Sequence, residues 1–391
     1  MAKSKRLFAN ILSATFLVLI VSYSSHLASS YSLNLRILDD GLPQYSSFMS
    51  WMNWIIGDIS EAQFYKNDLA SLGLLLGAFF AYVLYRKKQK LQGFAISYGT
   101  GLFLWILLSS SLGLILSNLL WSWTIASTQQ WQPTFVTFVS LPAATVLMYG
   151  KGYRVAFIGA ISGALLITPL ALLFVNYICR PLDLPNIIGN VSAMAIGSLI
   201  AFRLFYAFPS MMGKQEQVEE SHSETTVINE IDSTLPKHGP FWVMRRMIAD
   251  FSESQFFANE WAGLGFIAGV LLAIYINPLS ISYGSDLIVA ILISQILSAA
   301  IAVVTWQSQW EKYGWYPTYI PISSVAPVAV LVFNGSQISI VGGAIIGAII
   351  APPLAHWIST RLPNYQHPYI GNVISMAIVS LIAITVIRFF N

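Results

Sequence analysis

The sequence predicts an all-α polytopic membrane protein of about eleven transmembrane helices: one N-terminal helix, then two five-helix repeats of opposite orientation. Three observations predict it. Charged residues make up 9% of 391 and mean hydropathy is +0.66, whereas ordinary soluble domains carry about 25% charge. Too few polar side chains exist to cover a water-exposed surface, which excludes a soluble globular enzyme. Apolar stretches of about 20 residues, each long enough for a hydrocarbon core about 30 Å thick, recur along nearly the whole chain. Finally, three sequence windows recur in the same order at a nearly constant separation.

The first stretch, 7–27, follows Lys3, Lys5 and Arg6. Residues 1–30 therefore read as an N-terminal transmembrane helix or signal anchor, with a cleaved signal peptide as the alternative. Repeat 1, at 50–207, holds stretches at 69–85, 94–119, 134–149, 155–177 and 187–207. A polar linker follows at 208–240, where Glu216, Glu219, Glu220, Glu224, Glu230 and Asp232 lie beside Lys214 and Lys237; such a composition reads as a solvated tether. Repeat 2, at 241–391, holds stretches at 261–279, 286–305, 318–334, 338–357 and 370–388.

The repeat is carried by matched windows. Residues 58–68 (DISEAQFYKND) match 250–260 (DFSESQFFANE) at 6 of 11 positions. Residues 159–171 match 343–355 at 8 of 13, and 189–201 match 371–383 at 10 of 13. Between them, Trp131, Pro133 and Thr134 are answered by Trp315, Pro317 and Thr318. The separation drifts only from 192 to 182 residues, as small loop deletions would produce.

Five spans per copy place the second copy upside down relative to the first, and charge placement agrees. Loops after the first and third spans of copy 1 hold Arg86, Lys87, Lys88 and Lys90, then Lys151 and Arg154. Positive residues accumulate on the cytoplasmic side, which assigns these loops, the N-terminus and the linker to the cytoplasm. The corresponding loops of copy 2, 277–285 and 334–337, contain no Lys or Arg, whereas Lys312 appears at 306–317 where copy 1 has no basic residue.

Polar residues retained in both copies form the candidate site. Asp58, Glu61 and Asp68 are matched by Asp250, Glu253 and Glu260. At helical spacing each triplet shares one face, and acidic residues at membrane depth line cavities or relay protons and cations. These six are the expected coupling or gating groups; the alternative is an interfacial helix whose acids favour the N-terminus of the next helix. Gln63 with Asn67, and Gln255 with Asn259, add matched amides that a simple cap does not require.

The Trp-x-Pro-Thr pairs supply Trp131, Thr134, Trp315 and Thr318 as further solute contacts, because proline opens the helix ladder and frees carbonyls. Short, Pro-interrupted segments at corresponding positions of two halves point to a transporter's binding site. Gly-Asn-Val opens the last span of each copy, adding Asn190 and Asn372, which could equally serve as helix caps. Glycines four apart, Gly73 with Gly77 and Gly265 with Gly269, read as faces for close helix packing.

Cys179 is the single cysteine, which excludes a disulfide framework and multi-cysteine metal sites. No phosphate-binding loop, zinc-protease motif or nucleophile elbow is present. No enzyme activity, metal or cofactor is expected, and nothing supports nucleic-acid binding. The expected partners are the lipid bilayer, a small polar solute and a proton or sodium ion, with a homodimer compatible. The pattern points to an inner-membrane permease working by alternating access. The alternatives are a channel-like or structural subunit of a larger assembly, or an intramembrane lipid-modifying enzyme.

Overall fold

The computed structural model describes residues 2–35, 47–213 and 239–391; the polar linker expected at 208–240 lies mostly outside them. Among the described residues every regular element is helical. In chain order the principal helices are α1 (Ala2–Ser30), α2 (Phe48–Asp58), α3 (Asp68–Arg86), α4 (Phe103–Trp121), α5 (Thr134–Tyr149), α6 (Tyr153–Cys179) and α7 (Asn186–Ala207). They continue with α8 (Pro240–Ala249), α9 (Glu260–Ile276), α10 (Ile288–Thr305), α11 (Ile320–Val332), α12 (Gln337–Ser359) and α13 (Tyr369–Arg388).

Eight of these are long and apolar enough to cross a membrane: α1, α3, α4, α6, α7, α10, α12 and α13. A ninth is added if α9 is joined to Pro240–Gln255, which meets it at 84°. The protein is therefore membrane-embedded, and all-helical among the described residues.

The remaining two expected spans, 134–149 and 318–334, are the shorter helices α5 and α11. Their helical ladders break at Ser140 (φ −141°, ψ −127°) and Ser324 (φ −149°, ψ −85°), next to Pro142 and within reach of Pro321 and Pro327. The stretch expected from 94 becomes helical only at Phe103. Ser97 and Tyr98 adopt positive φ, and Gly99 and Gly101 follow in the same region, so the chain turns before entering α4.

The two halves meet where α3 crosses α9. A Cβ on Gly73 would lie 2.2 Å from the Gly265 carbonyl oxygen, and a Cβ on Gly265 would lie 2.2 Å from that of Gly73. Likewise Gly77 abuts the Trp261 carbonyl and Gly269 that of Leu69. Contacts ascend α3 as they descend α9, so the two helices are antiparallel, and residues 192 apart exchange roles across the crossing. Only glycine permits backbones this close.

Within each half the same hydroxyls knit neighbouring helices. Ser109 Oγ on α4 donates to the carbonyls of Pro142 (3.2 Å) and Ala156 (2.9 Å), while Ser117 Oγ donates to that of Thr134 (2.8 Å). The α5 segment thus runs antiparallel to α4, and α6 parallel to it. In the second half Ser294 Oγ on α10 donates to the Ile340 carbonyl at 2.8 Å and Ser298 Oγ to that of Ala344 at 3.3 Å, giving the same order.

One end of the bundle is basic. Arg154, at the start of α6, donates to the Ser210 and Met211 carbonyls just beyond α7. Arg245 pairs with Glu260 at the start of α9, whose carboxylate also accepts from Phe94 N in the segment that follows Arg86, Lys87, Lys88 and Lys90. The opposite end carries the α6–α7 connection and the segment after α9, where Leu33 N donates to the Tyr275 carbonyl.

Candidate functional site

The matched window Asp-x-Ser-Glu-x-Gln-Phe-x-x-Asn folds identically in both halves. Ser60 Oγ donates to the Gly57 and Asn67 carbonyls (3.1 and 2.9 Å) and accepts from Asn67 N (3.0 Å). Ser252 does the same with Ala249 and Asn259. Phe64 (φ 71°) and Phe256 (φ 62°) take the left-handed conformation, a cost that bulky residues bear mainly where surrounding structure fixes them. Asn67 then caps α3 by accepting from Ala70 N, and Asn259 caps α9 by accepting from Trp261 and Ala262 N.

This turn corrects one expectation. Asp58, Glu61 and Asp68 do not share a helical face, because α2 ends at Asp58 and the chain reverses at Phe64 before α3 begins. Asp68 sits in the first turn of α3, accepting from Leu69 N, and Glu260 is held by Arg245 and Phe94 N. Both acids favour a helix N-terminus and stand apart from the other four.

Asp58 and Glu61 form a buried cluster around one cation. Lys66 Nζ bridges Asp58 Oδ1 and Glu61 Oε2, the latter at 2.9 Å, and lies 3.6 Å from the centroid of the Trp54 ring. Asp58 Oδ2 also accepts from Thr134 Oγ1 (2.8 Å) and Asn118 Nδ2 (3.0 Å), and Trp54 Nε1 donates to Thr134 Oγ1 (3.0 Å). Glu61 Oε1 accepts from Trp131 Nε1 and from Tyr283 Oη at 3.3 Å.

The second half assembles the same chemistry from different positions. Arg246 binds Asp250 (2.6 Å) and Glu253 and lies 4.9 Å from the Trp310 ring. Trp315 Nε1 donates to Glu253 Oε1 (2.6 Å), and Trp310 Nε1 donates to Thr318 Oγ1 (3.3 Å), which lies against Asp250. The acids, threonines and Trp131 with Trp315 are sequence-matched. The cations are not: at the same separation of 192, Lys66 corresponds to Ala258 and Arg246 to Trp54. Each cluster therefore sets two carboxylates against one basic side chain.

Gln63 and Gln255 join the clusters. Each side-chain amide also reaches across the halves to a backbone carbonyl, Gln63 to Phe251 O (3.2 Å) and Gln255 to Ile59 O (3.0 Å).

A cavity of about 440 Å³ lies between the halves, bounded by Pro185, Tyr283 and Val332 from the end opposite the basic one. Glu61, Trp131, Asn190, Phe64 and Phe256 line it. A second cavity, about 910 Å³, lies at the basic end against Lys88, Lys90, Tyr98, Arg245, Arg246 and Trp315.

Glu61, Trp131 and Asn190, among the expected site residues, line the first cavity, and Glu260 and Trp315 line the second. Asp58, Asp250 and Glu253 sit behind the walls within their ion clusters, where Thr134 and Thr318 meet Asp58 and Asp250. Gln63 and Gln255 engage one another, and Asn67 and Asn259 engage helix N-termini. Asn190 and Asn372 lie inside α7 and α13 rather than at their caps. Asn372 Nδ2 donates to Tyr319 Oη (3.0 Å); the Oδ1 atoms of Asn190 and Asn372 are both buried without a hydrogen-bond partner, and Asn190 lies on the cavity wall.

Six site residues escaped the sequence reading: Trp54, Lys66, Asn118, Arg246, Tyr283 and Trp310. Lys66 and Arg246 lack matched counterparts, so a search for repeated residues passes over them. Tyr283 was recoverable: Ile-Ser-Tyr-Gly occurs at 96–99 and again at 281–284. This fourth window ties each half to the other's turn, through Ser97 N to Phe257 O (2.9 Å) and Ser282 N to Tyr65 O (2.8 Å).

No protein-family model matches this chain, and no curated protein matches it significantly.

Proposed function

We propose that the protein is an inner-membrane permease that moves a small polar solute by alternating access between two inverted repeats, coupled to a proton or cation at the buried carboxylates. The observation that carries this reading is the antiparallel crossing of α3 and α9, with an equivalent acid cluster on either side of it. Two similar halves related by an axis in the membrane plane have inward-open and outward-open arrangements of comparable energy. On this reading each half passes the membrane five times. The extended residues before α5 and α11 lengthen the third pass, and the basic end, with the N-terminus and linker, faces the cytoplasm.

On this reading the two cavities are the two vestibules, the first reaching Glu61 and the second reaching Arg246 and Trp315. Glu61 of one cluster lies on the wall of the first, while the symmetry-related Glu253 is enclosed by Arg246 and Trp315.

Two measurements test the proposal. In a Cys179→Ser background, a membrane-impermeant thiol reagent added to intact cells is expected to label Leu279→Cys and to reach Lys88→Cys only after permeabilisation. Labelling of both positions from one side would remove the inverted topology. Proteoliposomes are then expected to accumulate a member of a panel of labelled amines, amino acids, sugars and nucleosides, with uptake lost in Glu61→Gln and Glu253→Gln. Wild-type transport in both variants would eliminate the coupling role, and no uptake across the panel by folded protein would eliminate the permease.

A further inference from the structure

We propose that the first cavity binds an amphiphilic organic cation, an amine or ammonium group on an aromatic or branched aliphatic body. This rests on the permease reading and names its substrate class. Three observations carry it.

The first is charge. Among the described residues lining the cavity, Glu61 is the one that carries a formal charge, and no Lys, Arg or His faces it. The cluster behind it sets two acidic side chains, Asp58 and Glu61, against one basic side chain, Lys66, a formal excess of one negative charge. An anionic solute would meet no counter-charge, whereas a monovalent cation neutralises the excess.

The second is aromatic geometry. The rings of Trp131 and Tyr283 stand 6.2 Å apart at 84°, both donating to Glu61 Oε1. Two aromatic rings set edge to face beside a carboxylate leave an outer ring face that attracts a cation next to the negative charge. Tyr283 is 46% exposed, so its ring is open to an incoming group.

The third is an unused amide in a mostly apolar wall that also carries Asn186, Ser254, Ser323 and Tyr319. Asn190 is 5% exposed and its Oδ1 has no partner, an arrangement that costs free energy until something donates to it. A ligand N–H or O–H would satisfy it. The surrounding wall is supplied by Phe64, Phe135, Val191, Met194, Leu331 and Met376, which calls for a hydrocarbon body rather than a sugar-like one.

The test is isothermal titration of the purified full chain in detergent, with micelle blanks, using two probes of like body and opposite charge: 2-phenylethylammonium and 3-phenylpropionate. The cation is expected to bind saturably, and the anion at least about tenfold more weakly. Tyr283→Leu and Trp131→Ala are each expected to weaken the cation about tenfold. Tyr283 is half-exposed and makes the longer of the two bonds to Glu61, so Tyr283→Leu is the variant expected to stay nearer the wild-type unfolding temperature. Equal or tighter binding of the anion, an unweakened cation in a folded Tyr283→Leu, or no saturable cation binding by the folded wild type would overturn the proposal. Saturable binding without uptake in proteoliposomes would leave this site standing and remove the permease reading alone.

Discussion

Gln63 and Gln255, 192 positions apart, each donate through Nε2 to the other's Oε1 at 2.8 Å. Both are buried, so neither amide has water as an alternative partner. Gln63→Leu or Gln255→Leu alone is expected to strand the remaining amide and destabilise the protein by about 1–3 kcal/mol. The double variant is expected to unfold no lower than either single one, because no stranded amide remains. Thermal unfolding followed by circular dichroism checks this, and additive losses would contradict it.

Gly73→Ala and Gly265→Ala place a methyl against a backbone carbonyl 2.2 Å away. Backbone cannot rotate out of the way as a side chain can, so each substitution is expected to cost about 1–3 kcal/mol or more. The two losses should be alike, since the positions exchange roles. Size-exclusion profiles and unfolding midpoints provide the measurement, and an unaffected midpoint in either variant would show that the helices separate freely.

Lys66→Met and Arg246→Met each leave two carboxylates without their cation. Breaking a buried ion cluster in this way is expected to cost about 3–5 kcal/mol. Adding Asp58→Asn and Glu61→Gln to Lys66→Met should restore most of it. Recovery of the unfolding temperature distinguishes lost charge balance from lost packing.

Asn190→Leu should separate stability from binding. Removing an unsatisfied buried carbonyl is expected to raise the stability of the ligand-free protein by about 1–3 kcal/mol. The same change is expected to weaken any ligand that donates to Oδ1. A fall in both quantities would mean that the amide supports the helix rather than the cavity.

Long apolar runs were legible to within a few residues: 155–177 and 187–207 became α6 and α7. Hydropathy misjudged 94–119, because Phe94, Ala95 and Ile96 are apolar yet precede a turn whose backbone signal lies in Ser97, Tyr98, Gly99 and Gly101. It gave no sign of the breaks inside α5 and next to Ser324 in α11, where serine and proline interrupt a composition that remains hydrophobic. At the site, repetition identified Asp58, Glu61, Trp131 and Thr134 with their counterparts, since these residues do the same work in both halves. It could not find Lys66 and Arg246, which do equivalent work from unmatched positions. Spacing alone placed Asp68 beside Glu61 because helical periodicity carries no sign of the left-handed Phe64 between them.

The Gly73 to Gly265 contact has a mechanical consequence. At the four glycines where α3 crosses α9 backbone meets backbone, so no rotamers need to rearrange at those points when one half tilts against the other. On the permease reading this crossing would be the axle of such a movement, and its energetic detents would lie at the rim, in the two ion clusters. Substitutions there would set how long each orientation lasts, while substitutions at the axle would decide whether the molecule turns at all.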